Sequence, residues 1–229
     1  MKKNFFCLFF LMAGLVEVNA QNSSTFFKAG VNLANVSYNA NGNVDEANML
    51  LSFQAGIVGN ISIAPFLSIQ PGLIISGKGS KTQSGNTNDA NYYRATSNPW
   101  YVEIPVNLVL NAAMENNSKF IFGAGPYAAM GIAGKRKAEG RVFGVAFNRE
   151  ENITFSNDDP TTSGEEGAGF GIMKRFDYGL NGLVGIEGKK TMLVLNYGWG
   201  LAKLQSGTNN TADNNNKHRV LSLTLGFKL

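Results

Sequence analysis

Strict alternation of apolar and polar side chains is the feature that most constrains this sequence of 229 residues. In the closing stretch, VLSLTLGFKL, the apolar positions are Leu221, Leu223, Leu225, Phe227 and Leu229. Successive side chains of a β-strand point to opposite faces, so a period of two predicts a strand with one apolar face. Seven more stretches share this period, at 26–37, 49–63, 66–78, 99–111, 119–133, 174–187 and 191–202. The pattern predicts an all-β fold of eight strands.

The residue types on the two faces of these strands indicate which face contacts water and which contacts lipid. The polar face is small and rich in Gly, Ser and Asn, whereas the solvated face of a soluble sheet usually carries Lys and Glu. Charged residues make up 16% of the chain, against about 25% in soluble domains. Each stretch has about the length that a tilted strand needs to cross a bilayer. These features favour a transmembrane β-barrel with lipid outside and a tight polar interior. A soluble barrel is the less favoured alternative.

The connections between the stretches alternate in length. In order, they span 38–48, 64–66, 79–98, 112–118, 134–173, 188–190 and 203–217. This predicts an antiparallel up-and-down barrel with long extracellular loops, short periplasmic turns and both termini in the periplasm. The last strand must pair with the first, because an open sheet edge cannot exist in lipid. The longest connection contains RVFGVAFNREENITF, which we interpret as a hairpin above the membrane; a ten-stranded barrel is the alternative.

The N-terminus, MKKNFFCLFFLMAGLVEVNA, has the pattern of a secretory signal peptide. Two lysines precede a short apolar core, and small residues lie at the expected cleavage position after Ala20. We therefore predict a signal peptide over 1–20 and one barrel domain over 21–229. The only cysteine, Cys7, lies in the predicted signal peptide, so the mature chain would have neither a disulfide nor a thiolate nucleophile.

The charge balance gives no indication of a nucleic-acid partner. Removal of Lys2, Lys3 and Glu17 with the signal peptide lowers 20 basic and 16 acidic residues to 18 and 15. This small and scattered excess predicts no nucleic-acid binding. Outside the signal peptide, the chain also has no run of about 18 apolar residues that would form a membrane helix.

His218, the only histidine, is the candidate for catalysis. It could pair with Ser222 or with Asp213, but His218 and Ser222 would lie roughly 13 Å apart along a strand. That distance is too long for a hydrogen bond. We therefore interpret His218 as a residue at a loop edge, and we predict no catalytic residues and no enzymatic activity.

Two other patterns suggest ligand sites only weakly. Four carboxylates gather in the longest connection, namely Asp158, Asp159, Glu165 and Glu166. Their spacing does not match a calcium loop of the EF-hand type, and we predict a solvated loop without a metal site. Glycine runs such as GAGPYAAMG do not lie between a strand and a helix, so we predict no nucleotide site and no cofactor.

Charged, proline and aromatic residues lead to three structural expectations. The charges on the polar faces are Lys28, Glu103, Asp177, Glu187 and Lys228, with Arg175 near the outer rim. We expect them to pair inside the barrel, Glu187 with Lys228 or Lys28 first, because an isolated buried charge is costly. We expect bulges at the prolines that remove a ladder donor, Pro71, Pro105 and Pro126. We expect an interfacial aromatic belt made by Trp100, Tyr101, Tyr178, Tyr197 and Trp199.

Four stretches resemble one known family. FFKAGVNLANVS, WYVEIPVNLVL, FDYGLNGLVGIE and the closing LSLTLGFKL resemble the outer-membrane β-barrel domain family, whose members in Bacteroidota are often labelled PorT-like or "porin family". The family is similar in fold to small barrels of the OmpA and OmpX kind, and the resemblance implies no catalytic residues. Such chains commonly end in Phe, whereas this one ends in Leu229.

The expected function is a structural or surface-interaction role through the extracellular loops. The interior of an eight-stranded barrel is just wide enough for its own side chains, so we predict no open pore. The resemblance leaves a second possibility, an accessory component of a secretion or transport complex. The expected partners are membrane lipid and lipopolysaccharide, the outer-membrane assembly machinery through the C-terminal strand, and a protein at the extracellular loops.

Overall fold

A computed structural model describes residues 23–37, 49–155, 172–204 and 216–229. The described part contains twelve β-strands and one short 3-10 helix, Glu115–Asn117. The strands are β1 (Ser23–Ser37), β2 (Leu50–Ala64), β3 (Leu67–Gly77), β4 (Ser80–Ser84), β5 (Tyr92–Ala113), β6 (Lys119–Val142), β7 (Val145–Asn152), β8 (Thr154–Phe155), β9 (Ile172–Met173), β10 (Phe176–Glu187), β11 (Thr191–Gly200) and β12 (Lys217–Lys228). The predicted signal peptide, the four loop carboxylates and Asp213 lie outside the described residues.

Eight of these strands form a closed antiparallel ring. Their order is β5-β3-β2-β1-β12-β11-β10-β6, and pairing between β5 and β6 closes the ring. The last strand pairs with the first from Phe26 opposite Lys228 to Ser37 opposite Lys217. The prediction of an all-β antiparallel fold with eight principal strands is confirmed. The alternative with ten strands is not supported, since β4 and β7 extend the sheet beside β5 and β6 and are not members of the ring.

The side chains of the ring are arranged inside out. On β12, Leu223 and Leu225 point outward and are about half exposed, at 47% and 52%, whereas Ser222 and Thr224 point inward and are buried. The same alternation runs around the ring, because a fixed register places every second residue of each strand on the same side. A small apolar cluster that includes Phe26, Ile121 and Met192 also lies in the interior.

The two ends of the ring differ in their connections. At one end β2 and β3, β5 and β6, and β10 and β11 are joined by only two to five residues. β1 begins and β12 ends there, and we call it the short-link end. At the opposite, long-link end β5 and β6 continue beyond the ring, with β4 pairing on β5 and β7 pairing on β6.

The three prolines do not produce bulges, and that prediction was wrong. Shifts in register lie between Ser62 and Ala64 in the β2–β3 pair and between Trp100 and Tyr101 in the β5–β6 pair. Beside Pro71, Pro105 and Pro126 the pairing is interrupted for two residues and then resumes in the same register. A proline removes one ladder donor, and here the neighbouring strands absorb that loss without inserting a residue.

Candidate functional site

Lys78 is the centre of a buried polar cluster near the long-link end of the ring. It directly follows β3, and its ammonium lies 2.6 Å from Glu103 Oε2 on β5 and 2.9 Å from Asp177 Oδ2 on β10. The side chains of Lys78 and Asp177 are 4% and 1% exposed. One cation therefore bridges two carboxylates, and it ties together elements that are distant along the chain.

Two tyrosines and a histidine surround this ion-pair cluster. The hydroxyl of Tyr127 on β6 donates a hydrogen bond of 3.1 Å to Asp177 Oδ2. The Lys78 ammonium lies 4.0 Å from the centre of the Tyr127 ring, which is within the range of a cation–π interaction. Tyr101 packs edge-on against His218, with ring centres 5.3 Å apart and 3.4 Å between the hydroxyl and Nε2.

Amide side chains hold the cluster in place. Asn181 Nδ2 donates a hydrogen bond of 3.4 Å to the second oxygen of Glu103. Asn32 Nδ2 lies 3.0 Å from both Ser76 Oγ and the carbonyl oxygen of Gly77, at the end of β3 where Lys78 begins. These bonds hold the end of β3, directly before Lys78. They therefore help to keep the ammonium between the two carboxylates.

The cluster places charged and aromatic side chains together in the interior of the ring. It combines one ammonium with two carboxylates, and Asp177 Oδ1 and His218 Nδ1 have no hydrogen-bond partner. Large aromatic rings fill the space beside the charges. A buried charge needs close partners, so these side chains are held together at a fixed separation.

The sequence expectation for the interior charges was partly right. Glu103 and Asp177 do pair inside the ring, and their partner is Lys78. Lys78 was missed as a pairing charge, although it shares the polar face of its stretch with Ser76 and so carries the signal that could have found it.

Glu187 forms no ion pair with the expected lysine, although Lys228 and Lys119 attract its carboxylate from a greater distance. Glu187 Oε2 accepts a hydrogen bond of 3.1 Å from Asn60 Nδ2, and the described residues place no cation within 4 Å of its carboxylate. Lys228 is exposed at the short-link end, where water can solvate its ammonium without an ion pair. In the described part of the chain, Lys28 also has no ion pair.

The side chains of His218 and Tyr101 do not lie where the sequence analysis expected them. His218 is the second residue of β12, next to a long connection as expected, but it is only 1% exposed, so its side chain lies in the interior of the ring. Tyr101 is fully buried in the interior and cannot belong to an outer aromatic belt. Tyr178, Tyr197 and Trp199 do point outward and are exposed, and Arg219 lies over the Trp199 ring at 5.5 Å. Arg175 is exposed and donates to the carbonyl oxygen of Phe155.

Two other features, a metal-binding group and a membrane-spanning helix, are not found among the described residues. In these parts of the chain, no group of three or more His, Cys, Asp and Glu residues is arranged to hold a metal ion. No helix within them is long and apolar enough to cross a membrane.

The fold defines a class of protein, an all-β chain whose antiparallel strands close into a ring with polar groups inside. Comparison with protein families identifies the particular family. Residues 19–206 match the outer membrane protein beta-barrel domain, and the chain belongs to that family. This confirms the resemblance found in the sequence and supports an outer-membrane location.

Two solved structures are similar to the chain over most of its length. Ail, the attachment invasion locus protein of Yersinia pestis, is 11% identical; the match covers 90% of this chain and 99% of Ail, with a TM-score of 0.39. Neisserial surface protein A is 14% identical; the match covers 91% of this chain and 100% of that protein, with a TM-score of 0.38. No curated protein matches the sequence.

Proposed function

We propose that the protein is an integral β-barrel of the outer membrane. The observation that carries this proposal is the inside-out arrangement of the ring. Large apolar residues such as Phe53, Leu73 and Leu108 are more than half exposed on its outer face, while asparagine, serine and charged side chains are buried within. Lipid stabilises such an outer face, whereas water would leave a wide apolar band unsatisfied.

The proposed role is surface interaction through the long-link end, which we place outside the cell. The β4–β5 and β6–β7 hairpins extend beyond the ring at this end. At the tip of the second hairpin, Val142, Phe143 and Val145 are exposed, and the side chain of Phe143 is 88% exposed. An exposed apolar tip on a charged hairpin is a suitable contact for a protein partner.

We propose neither an open pore nor an enzymatic role. Two clusters of side chains inside the ring support this proposal, the Lys78 cluster near the long-link end and the small apolar cluster near the short-link end. His218 contacts Tyr101 within the packed interior, and a catalytic histidine needs access to a substrate.

The proposed partners follow from this location. The outer face would contact membrane lipid, and the long-link end would contact lipopolysaccharide. β12 would be the segment presented to the assembly machinery. An accessory role in a secretion or transport complex stays a prediction from the sequence resemblance, and loss of secreted cargo on deletion of the gene would favour it.

Gel mobility and labelling test this proposal. We expect the protein in the outer-membrane fraction, with different gel mobility before and after boiling. Because Cys7 is the only cysteine, Phe143→Cys and Lys189→Cys place single thiols at the two ends of the processed chain. A membrane-impermeant maleimide should label intact cells at position 143 and not at position 189. Soluble protein without a mobility shift would refute the barrel, and labelling at position 189 alone would reverse the orientation.

A further inference from the structure

An apolar groove lies on the outer face of the ring, across β5, β6, β10 and β11. Its volume is about 660 Å³, and its lining includes Leu108, Phe122, Ala124, Gly182, Leu195 and Tyr197. The hydroxyl of Tyr197 is the one polar side-chain atom in the lining, and the other lining residues carry apolar side chains or none. The groove therefore offers apolar contacts and almost no hydrogen bonding.

The register of four strands explains where the groove lies. Ala124 on β6 is directly opposite Gly182 on β10. Leu108 on β5 flanks Ala124 on one side, and Tyr197 on β11 flanks Gly182 on the other. Two small residues thus lie side by side between large ones, at mid-height of the apolar outer face.

Gly182 is not required by the fold. A Cβ atom added to it would meet no other atom within 4 Å, and its φ lies outside the left-handed region. Of the strand glycines that the structure describes, Gly182 alone has both properties. A side chain at Gly125, by contrast, would overlap the backbone of β5. Glycine is unfavourable in the interior of a strand. At position 182 it leaves open the space that forms part of the groove.

We propose that this groove is a binding site for one lipid acyl chain. The inference rests on the proposed membrane location, since the groove is continuous with the apolar face that lipid would cover. At about 30 Å³ for each water-sized group, the groove has room for on the order of twenty such groups, the size of one acyl chain. A peptide would bring polar backbone groups that the lining cannot satisfy, and the closed ring offers no strand edge here.

Fluorescence quenching in mixed micelles tests the proposal. The probe is phosphatidylcholine with dibrominated acyl chains, titrated into octyl glucoside micelles that contain the full-length processed protein. Trp100 and Trp199 are replaced by Phe, and a single tryptophan is introduced as Tyr197→Trp in the groove. A matched control carries Leu51→Trp, on the outer face of β2, three strands away from Tyr197 in the ring and outside the groove lining.

We expect the groove probe to reach half-maximal quenching at a bromolipid fraction at least about threefold lower than the control probe, because the groove buries more of a long chain. Gly182→Leu should fill the groove and remove this difference. Ala55→Leu, at another small exposed position on the outer face, should leave the difference unchanged.

Three results would overturn the proposal. Equal quenching of both probes would show that the groove has no preference for the chain. An unchanged preference in Gly182→Leu would place the binding elsewhere. A chemically cross-linked dimer that Gly182→Leu abolishes would show that a second copy occupies the groove. Failure of the barrel proposal gives a different result, because the control probe would then escape quenching at every bromolipid fraction.

Discussion

The buried lysine allows the clearest test of what stabilises the ring. Lys78→Met keeps much of the length and apolar character of the side chain but removes its ammonium. Glu103 and Asp177 would then lose the cation that now lies 2.6 Å and 2.9 Å from their oxygens. Both carboxylates would remain in the packed interior without a counter-charge.

The size of the effect follows from burial. Removal of one partner from a buried ion pair costs about 3–5 kcal/mol, because the remaining charge stays uncompensated. The side chains of Lys78 and Asp177 are nearly inaccessible, and that of Glu103 is 11% exposed, so water can solvate the freed carboxylates only slightly. We therefore expect Lys78→Met to lower the free energy of unfolding by about 3–5 kcal/mol.

Reversible urea unfolding in lipid vesicles measures this change, followed by tryptophan fluorescence and by gel mobility. Lys135→Met is the matched control, because Lys135 lies 2.7 Å from Glu150 in an ion pair that is largely exposed. Exposed pairs contribute little, so the control should unfold at nearly the same urea concentration as the unmodified protein.

A triple variant separates lost charge pairing from lost packing. Lys78→Met combined with Glu103→Gln and Asp177→Asn leaves no unpaired charge, and most of the lost stability should return. Equal effects of Lys78→Met and Lys135→Met would contradict our account of the cluster. Failure of the triple variant to recover would show that the effect comes from packing.

Further predictions concern the tyrosine, the glycines and the exposed hairpin. Tyr127→Phe removes the hydrogen bond to Asp177 but keeps the ring beside the ammonium, and should cost about 1.5–3 kcal/mol in urea unfolding. Gly125→Ala should cost about 1–3 kcal/mol by overpacking against β5, while Gly182→Ala should fold normally by the gel-mobility assay. The hydrogen bond from Lys135 lowers the pKa of Glu150 below its ordinary value of 4.5. The ion pair therefore stabilises the hairpin fully at a pH above 4.5, and this stabilisation is lost as the pH falls through the lowered pKa. Amide exchange in β7 should therefore be faster at about pH 3 than at about pH 5.5, after correction for the intrinsic rate.

The sequence predicts the ring well because the alternation acts on every strand at once. A slip of one residue would move a complete apolar face into the interior, so the pattern fixes which residues point outward. Parity alone also indicates that Tyr101 points inward, since Tyr101 and Glu103 share a face of their stretch. The expectation of an outer belt failed at Tyr101 because it considered residue type without the face.

Contacts across the interior were harder to predict. Lys78 and Asp177 are 99 residues apart along the chain, and their distance depends on how the ring closes. Alternation gives the face of each residue but not its height in the ring or its neighbour across the interior. The predicted ion pair of Glu187 failed for this reason, since Asn60 lies within hydrogen-bond distance and Lys228 does not come within 4 Å of the carboxylate.

The interior of the ring and the exposed hairpins are connected through shared strands. Two of the strands that contribute to the Lys78 cluster, β5 and β6, continue beyond the ring into the hairpins of the long-link end. At the tip, Asn91 Oδ1 accepts a hydrogen bond of 3.0 Å from the backbone N–H of Phe143, and the N–H of Gly144 donates to the carbonyl oxygen of Ala90. These bonds hold Phe143 at a φ of 50°, in the left-handed region that non-glycine residues seldom adopt. A conformation of this kind persists only where its surroundings impose it, and here the hydrogen bonds to Ala90 and Asn91 hold Phe143 in position. Such preorganisation would lower the entropic cost of the partner contact that we propose for this tip.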